Sequence, residues 1–221
     1  VKASSPVPWE VRAYIGLIVF SLCGTLASRA LKLDPGLIGP VSSVLTIAIG
    51  VIVAFGTDVD ARLWKVGIGV GLFGASTEVL GLATGFPFGR YEYTDQWLPV
   101  IWLTGLGYFP LLLPLAWLMI TAAAARVVQN PVLAGLLAAS IDLVMEPVAV
   151  NTLRYWTWTD GGPLPGNVPL ANFFAWWVIS GLGSFALQRA GMPADRKGWI
   201  VLVGHLGLMI GLLLLDIAFR L

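Results

Sequence analysis

Apolar stretches long enough to cross a bilayer follow one another along almost the whole chain, and that leaves little choice of fold. A hydrocarbon core of about 30 Å takes roughly 20 helical residues. Seven stretches approach that length, near 11–31, 37–56, 63–82, 98–122, 132–150, 171–188 and 199–219. Charged residues make up 11% of the chain, against about a quarter in soluble domains. The mean hydropathy of +0.85 agrees, as do the many glycines and tryptophans, which favour membrane helices and their ends. The expectation is an all-α, polytopic helical membrane protein of about seven transmembrane helices, forming one integral membrane domain over 1–221.

Breaks fall at Lys32-Leu-Asp-Pro-Gly36, Thr57-Asp-Val-Asp60, Phe86 to Gln96, Arg126 to Pro131, Arg154 to Pro169 and Arg189 to Lys197. Pro110 and Pro114 fall inside the fourth stretch and are expected to bend it, since each removes a backbone donor. The lead-in before the first stretch is short and polar, with no cleavage pattern, so that stretch is expected to stay as a helix. Seven crossings gather Lys2, Arg12, Arg62, Lys65, Arg126, Arg189, Arg196 and Lys197 on one side. Arg29, Lys32, Arg90, Arg154 and Arg220 fall on the other. That bias places the amino terminus in the cytoplasm. No internal repeat points to an inverted-repeat transporter. A net charge of +1 and no basic run longer than Arg196-Lys197 argue against a nucleic-acid partner.

Three carboxylates stand inside apolar stretches: Glu78, Asp142 and Glu146. Each costs roughly 2.5 kcal/mol or more at membrane depth, so a purpose is expected. Asp142 and Glu146 are four apart and share one helix face. Two acids that close in a poorly hydrated place resist ionising together. One protonated acid beside one carboxylate is a general acid/base arrangement. Pro147 follows directly and leaves the Leu143 carbonyl without its helical donor. The bland alternative is ion pairing, with Arg154 or across the bundle.

The alternating topology brings the remaining polar and aromatic content to the same membrane face. The run Gly85-Phe-Pro-Phe-Gly-Arg-Tyr-Glu-Tyr93 reads as a tight aromatic loop able to line or lid an apolar cavity through Phe86, Phe88, Tyr91 and Tyr93. Arg90 would pair with Glu92, Asp95 or a site carboxylate. Trp156, Trp158, Trp176 and Trp177 suit either an interfacial belt or a cation-stabilising wall. Asn172 would hydrogen-bond a carboxylate or cap its helix. His205 is placed away from this cluster, as an interhelical hydrogen-bonder. Cys23 reads as a small core residue. Asp58, Asp60 and Asp195 read as wet loops, and Asp216 has Arg220 four residues on as a local partner. Glu78, Asp142 and Glu146 would also suit a hard metal, but no ligand motif accompanies them and no metal is expected.

On these residues the chain resembles the membrane carotenoid-biosynthesis proteins, among them the carotenoid 1,2-hydratases and the bisanhydrobacterioruberin hydratases. The likeness runs through Glu78, Gly81, Thr84-Gly85 and Phe88-Gly-Arg-Tyr-Glu-Tyr93. It continues at Asp142-Leu-Val-Met-Glu-Pro147, Trp156-Thr-Trp158 and Pro169-Leu-Ala-Asn172-Phe, with Trp176. The resemblance implies a cofactor-independent hydratase (a carbon–oxygen lyase) acting on a terminal double bond of an acyclic carotenoid. Glu146 or Glu78 would donate the proton, and Asp142 would activate water or stabilise the cation, with the reverse assignment open. Phe86, Phe88, Arg90, Tyr91, Tyr93, Trp156, Trp158, Asn172 and Trp176 would hold the polyene end. The implied partners are the carotenoid and membrane lipid, with association with other carotenoid enzymes open, and the implied location is the plasma membrane. A carotenoid cyclase or isomerase would begin with the same proton. A proton-coupled transporter needs polar residues in the other half of the membrane, where His205 is the main one. A scaffold would leave the acids without a purpose.

Overall fold

The computed structural model describes residues 7–34, 36–56 and 59–220. Among the described residues there are seven helices: α1 (Trp9–Leu31), α2 (Ile38–Phe55), α3 (Ala61–Thr84), α4 (Leu113–Val127), α5 (Pro131–Asn151), α6 (Leu170–Arg189) and α7 (Lys197–Arg220). All but α4 are long and apolar enough to cross a membrane. The chain is a polytopic helical membrane protein. Four short strands, β1 (Tyr91–Tyr93), β2 (Val100–Leu103), β3 (Gly107–Pro110) and β4 (Trp156–Trp158), lie between the helices.

Local chemistry sets the helix ends. The Asp60 side chain accepts from the Leu63 amide and Asn130 from that of Leu133, each satisfying an orphan donor of the first turn. Gly85 closes α3 at φ +81°, a left-handed conformation that favours glycine. Asp60 therefore has a structural use beyond a wet loop, while Asp58 lies outside the described residues.

The fourth apolar stretch departs from expectation. Its first part, expected as helix over 98–122, is a β2–β3 hairpin with Val100 opposite Pro110 and Leu103 opposite Gly107. Gly105 and Gly107, at φ +80° and +90°, turn the chain. Pro110 ends β3, and Pro114 stands in the first turn of α4, where no amide donor is needed, so neither bends a helix. The 15 residues of α4 span about 22 Å, less than a hydrocarbon core.

This short helix is the centre of the bundle. It packs against α2, α3, α5, α6 and α7, and Ala122 to Ala125 are wholly buried. Small residues let the surrounding backbones close in. A Cβ on Gly71 or Gly198 would strike the carbonyl of Pro114 or Ala123. Cys23, expected in the core, is exposed on α1, because its face of that outer helix has no neighbour to bury it.

Hydrogen bonds fix which ends lie together. Antiparallel pairing of β1 with β4 brings the α3–α4 and α5–α6 connections to one end, the capped end. At that end Asp216 takes Arg29 at 2.9 Å and Thr152 at 3.3 Å; the side chain of Arg220, its expected partner, lies outside the described residues. At the opposite end Arg126 reaches Asp195 at 2.8 Å and the Phe55 carbonyl, and Lys197 reaches Glu10 at 3.1 Å. Asp195 is thus an ion-pair partner as well as a loop residue.

Candidate active site

The β1–β4 ribbon forms the roof. Tyr91 stands opposite Trp158, Glu92 opposite Thr157 and Tyr93 opposite Trp156. Strand periodicity turns the four aromatic rings inward and Glu92 and Thr157 outward. Gly89, at φ +106°, carries the chain into β1, and a Cβ there would lie 2.8 Å from Pro169 at the start of α6.

Two of the roof's aromatics serve each glutamate. Glu78 Oε2 accepts from the Tyr91 hydroxyl at 2.5 Å and the Tyr93 hydroxyl at 3.0 Å, while Oε1 accepts from Trp117 Nε1 at 3.1 Å. Glu146 Oε2 accepts from Trp156 Nε1 at 3.1 Å and Trp158 Nε1 at 3.0 Å. The amide nitrogen of Asn172 donates to Glu146 Oε1 and Asp142 Oδ2, each at 2.9 Å. Burial, reinforced by the Glu78 carboxylate, raises the phenols of Tyr91 and Tyr93 well above the ordinary range, so both remain donors.

All three acids are buried, at 2–5% exposure. None forms an ion pair among the described residues, so the pairing with Arg154 considered from sequence is not made. Every donor they meet is neutral. Both oxygens of Glu78 and of Glu146 already accept hydrogen bonds, whereas Asp142 Oδ1 accepts none among the described residues.

The acids open onto one cavity of about 810 Å³. Phe88, Trp117, Trp176 and Met145 are among its apolar walls, and it extends along α1, α2 and α7. Trp117 and Trp176 stack at 3.8 Å between centroids, 13° from parallel. The cavity combines neutral-donor acid chemistry with space for a long apolar chain.

A sequence model of the family described as carotenoid biosynthesis protein matches residues 38–219. The chain belongs to that family. No curated protein and no solved structure matches it.

Within this carotenoid biosynthesis protein, the structure brings together Glu78, Asp142, Glu146, Phe88, Tyr91, Tyr93, Trp156, Trp158, Asn172 and Trp176 around the cavity. Phe86 and Arg90 are not among its walls. Phe86 is 70% exposed, because the turn after Gly85 points it outward while Phe88 tucks under the roof. Arg90 faces a separate outer cleft with Glu92 and Asp95, and its amide binds Asp160 at 2.9 Å. Asn172 is the third residue of α6, with Pro169 at the cap position, so its side chain serves the acids and not the helix end.

Sequence reasoning missed Trp117, the third donor to Glu78. Its signal was a lone tryptophan deep in an apolar run, where a buried indole N–H needs a partner. It also did not foresee that His205, away from the acids, lines the same cavity, and the interhelical hydrogen bond expected of it is not made by Nδ1 among the described residues.

Proposed function

We propose that this carotenoid biosynthesis protein is a hydratase that adds water across the terminal C1–C2 double bond of an acyclic carotenoid end, either lycopene-like (C40) or bisanhydrobacterioruberin-like (C50). The observation that carries it is the set of three buried acids, served only by neutral donors, at one end of a large apolar cavity.

The reaction needs no redox partner. A carboxylic acid passes its proton to C2, the double-bond electrons form the new C–H bond, and C1 becomes a tertiary cation. Water oxygen bonds to C1 and gives its proton to a second carboxylate, leaving a tertiary alcohol. Hydrogen bonds to the charged form hold a carboxylate ionised. Glu78 and Glu146, each with three side-chain donors, therefore suit cation stabilisation and proton acceptance. Asp142, with one oxygen uncommitted, suits the proton donor. This reverses the assignment expected from sequence, and its reason is the distribution of donors. The rings of Phe88, Tyr91, Trp156 and Trp158 would hold the polyene end and keep stray water from the cation. The same reading has the enzyme working as one integral domain in the plasma membrane, beside the enzymes that make its substrate.

The test is mass-resolved chromatography of carotenoids from cells that make lycopene or bisanhydrobacterioruberin. The wild type should add the mass of one water per modified end, and Asp142→Asn, Glu146→Gln and Glu78→Gln should each abolish or strongly reduce it. A product of unchanged mass and altered retention would replace hydration by cyclisation or isomerisation. No product from either substrate with correctly inserted protein would overturn the reading.

A further inference from the structure

Below the acids, the cavity reaches two polar side chains that catalysis as described leaves unused. Thr46 on α2 and His205 on α7 both line it, at 2% and 6% exposure. Neither Thr46 Oγ1 nor His205 Nδ1 has a hydrogen-bond partner among the described residues. Buried polar atoms are almost always paired. Of three such orphans on described residues lining this cavity, Trp97 Nε1 lies beside the aromatic ribbon, and the two on α2 and α7 call for a ligand that supplies the bonds.

Tyr14 places the two residues at a similar depth of the bundle. Its ring is wedged between α2 and α7: a Cβ built on Gly50 would lie 3.0 Å from it, and one on Gly204 2.9 Å. Its hydroxyl donates to the Val201 carbonyl at 3.1 Å, which anchors the ring. Gly50 and Gly204 therefore stand at one depth. Thr46 is one helical turn from Gly50 towards the capped end, and His205 follows Gly204 directly. Leu208 and Met209, also in the cavity wall, continue α7 towards the acids. Ser42, one turn beyond Thr46 on the same face of α2, is already bonded to Ser21 at 2.5 Å and is not a competing partner.

We propose that Thr46 and His205 form a binding site for a hydroxyl oxygen, separate from the carboxylate cluster. A hydroxyl both donates and accepts, as do a threonine hydroxyl and a neutral imidazole. The oxygen belongs either to a held water or to an alcohol on a chain that is already hydroxylated. A cavity lined only for a hydrocarbon would have no use for the pair. The proposal deepens the hydratase reading, because hydration both consumes water and produces an alcohol.

The experiment uses Thr46→Val, which keeps the shape and removes the hydroxyl, His205→Leu, and Thr46→Ser as the restoring variant. Thermal unfolding in micelles first establishes that each is folded. Tryptophan quenching then measures binding of an unhydroxylated acyclic carotenoid and of its monohydroxylated derivative. Loss of one hydrogen bond should weaken the alcohol about tenfold and leave the hydrocarbon unchanged, with Thr46→Ser near wild type, if the site holds a chain alcohol. If the site holds water, both chains bind as in the wild type. Hydration then slows while deuterium from heavy water still enters the terminal carbon, since protonation continues without capture. Equal weakening of both chains, not restored by serine, would mean a packing role only and would overturn the proposal. So would unchanged binding together with unchanged turnover. A wild type that hydrates nothing would defeat the hydratase reading, and the binding comparison alone would then decide this site, selective loss of the alcohol supporting it and any other result overturning it.

Discussion

Replacing Gly81 by alanine should damage the protein, although the same change in an exposed helix interior normally helps. Gly81 lies in α3 one turn after Glu78, and a Cβ there would sit 2.8 Å from both the Tyr91 hydroxyl and the Phe88 ring. Neither neighbour is free to leave, since Tyr91 is bonded to Glu78 and Phe88 is 1% exposed. Alanine gains about 1 kcal/mol over glycine in helix propensity. Against this, displacing Tyr91 leaves a buried acceptor short of a donor, at about 1–3 kcal/mol. Gly69 is the control: it lies in the same helix, and a Cβ there meets nothing within 4 Å. The two alanine variants share the propensity gain, so they should differ by about 1–3 kcal/mol, with Gly81→Ala the weaker. Thermal unfolding in micelles measures this, and carotenoid analysis should show product lost only in Gly81→Ala. Adding Tyr91→Phe to each background completes a double-mutant cycle, in which the tyrosine should matter less once Gly81 is changed. Equal midpoints for Gly81→Ala and Gly69→Ala would refute the reasoning.

Asn172→Leu removes the donor shared by Asp142 and Glu146; it should cost about 1–3 kcal/mol in unfolding experiments and abolish product. Retained turnover would show that the bridge is dispensable. Trp117→Phe keeps the stacking on Trp176 but takes one donor from Glu78, so carotenoid binding should survive while turnover falls. A loss of binding with turnover per bound substrate intact would contradict this. Above pH about 10 an exposed tyrosine sheds its proton, whereas the buried phenols of Tyr91 and Tyr93 keep theirs. The unfolded chain then binds fewer protons than the folded one, so stability should fall as pH rises beyond that point. Tyr91→Phe/Tyr93→Phe should flatten that fall, and an unchanged slope would exclude these phenols as its source. Finally, Cys23→Ala should leave both stability and product unchanged, since the side chain faces outward from α1; a loss of either would contradict that placement.

Much of this was legible in the chain because membrane helices announce themselves by length and apolarity. Six of the seven expected spans match helices to within about two residues at each end. The fourth failed because Val100-Ile-Trp-Leu103 and Tyr108-Phe-Pro-Leu-Leu-Leu113 are as apolar as a helix, and hydropathy does not distinguish the two. The turn signals Gly105, Gly107 and Pro110 were present and pointed to a hairpin. The three acids were legible because carboxylates are expensive in lipid. Their donors were legible only as a group of aromatics. Tyr91-Glu92-Tyr93 and Trp156-Thr157-Trp158 do alternate as half-buried strands should, but their pairing is tertiary information that neither triplet contains. The place of His205 in the cavity wall was not legible for a similar reason: its position along α7 was readable, whereas the cavity beside it is made by other helices.

The β1–β4 ribbon has a consequence for how the protein comes into being. All of α4 and α5 is made between its two strands. Until β4 emerges, Glu146 has neither of its tryptophans and Tyr91 and Tyr93 have no strand to hold them over Glu78. A ribosome-bound chain that has inserted three or four helices therefore carries an unsheltered acid within the bilayer. Such an intermediate is a natural target for membrane quality control, and a chain truncated before Trp156 should be degraded even though most of its helices are complete. The strand pairing that roofs the cavity would thus also mark the moment at which the nascent protein becomes safe to keep.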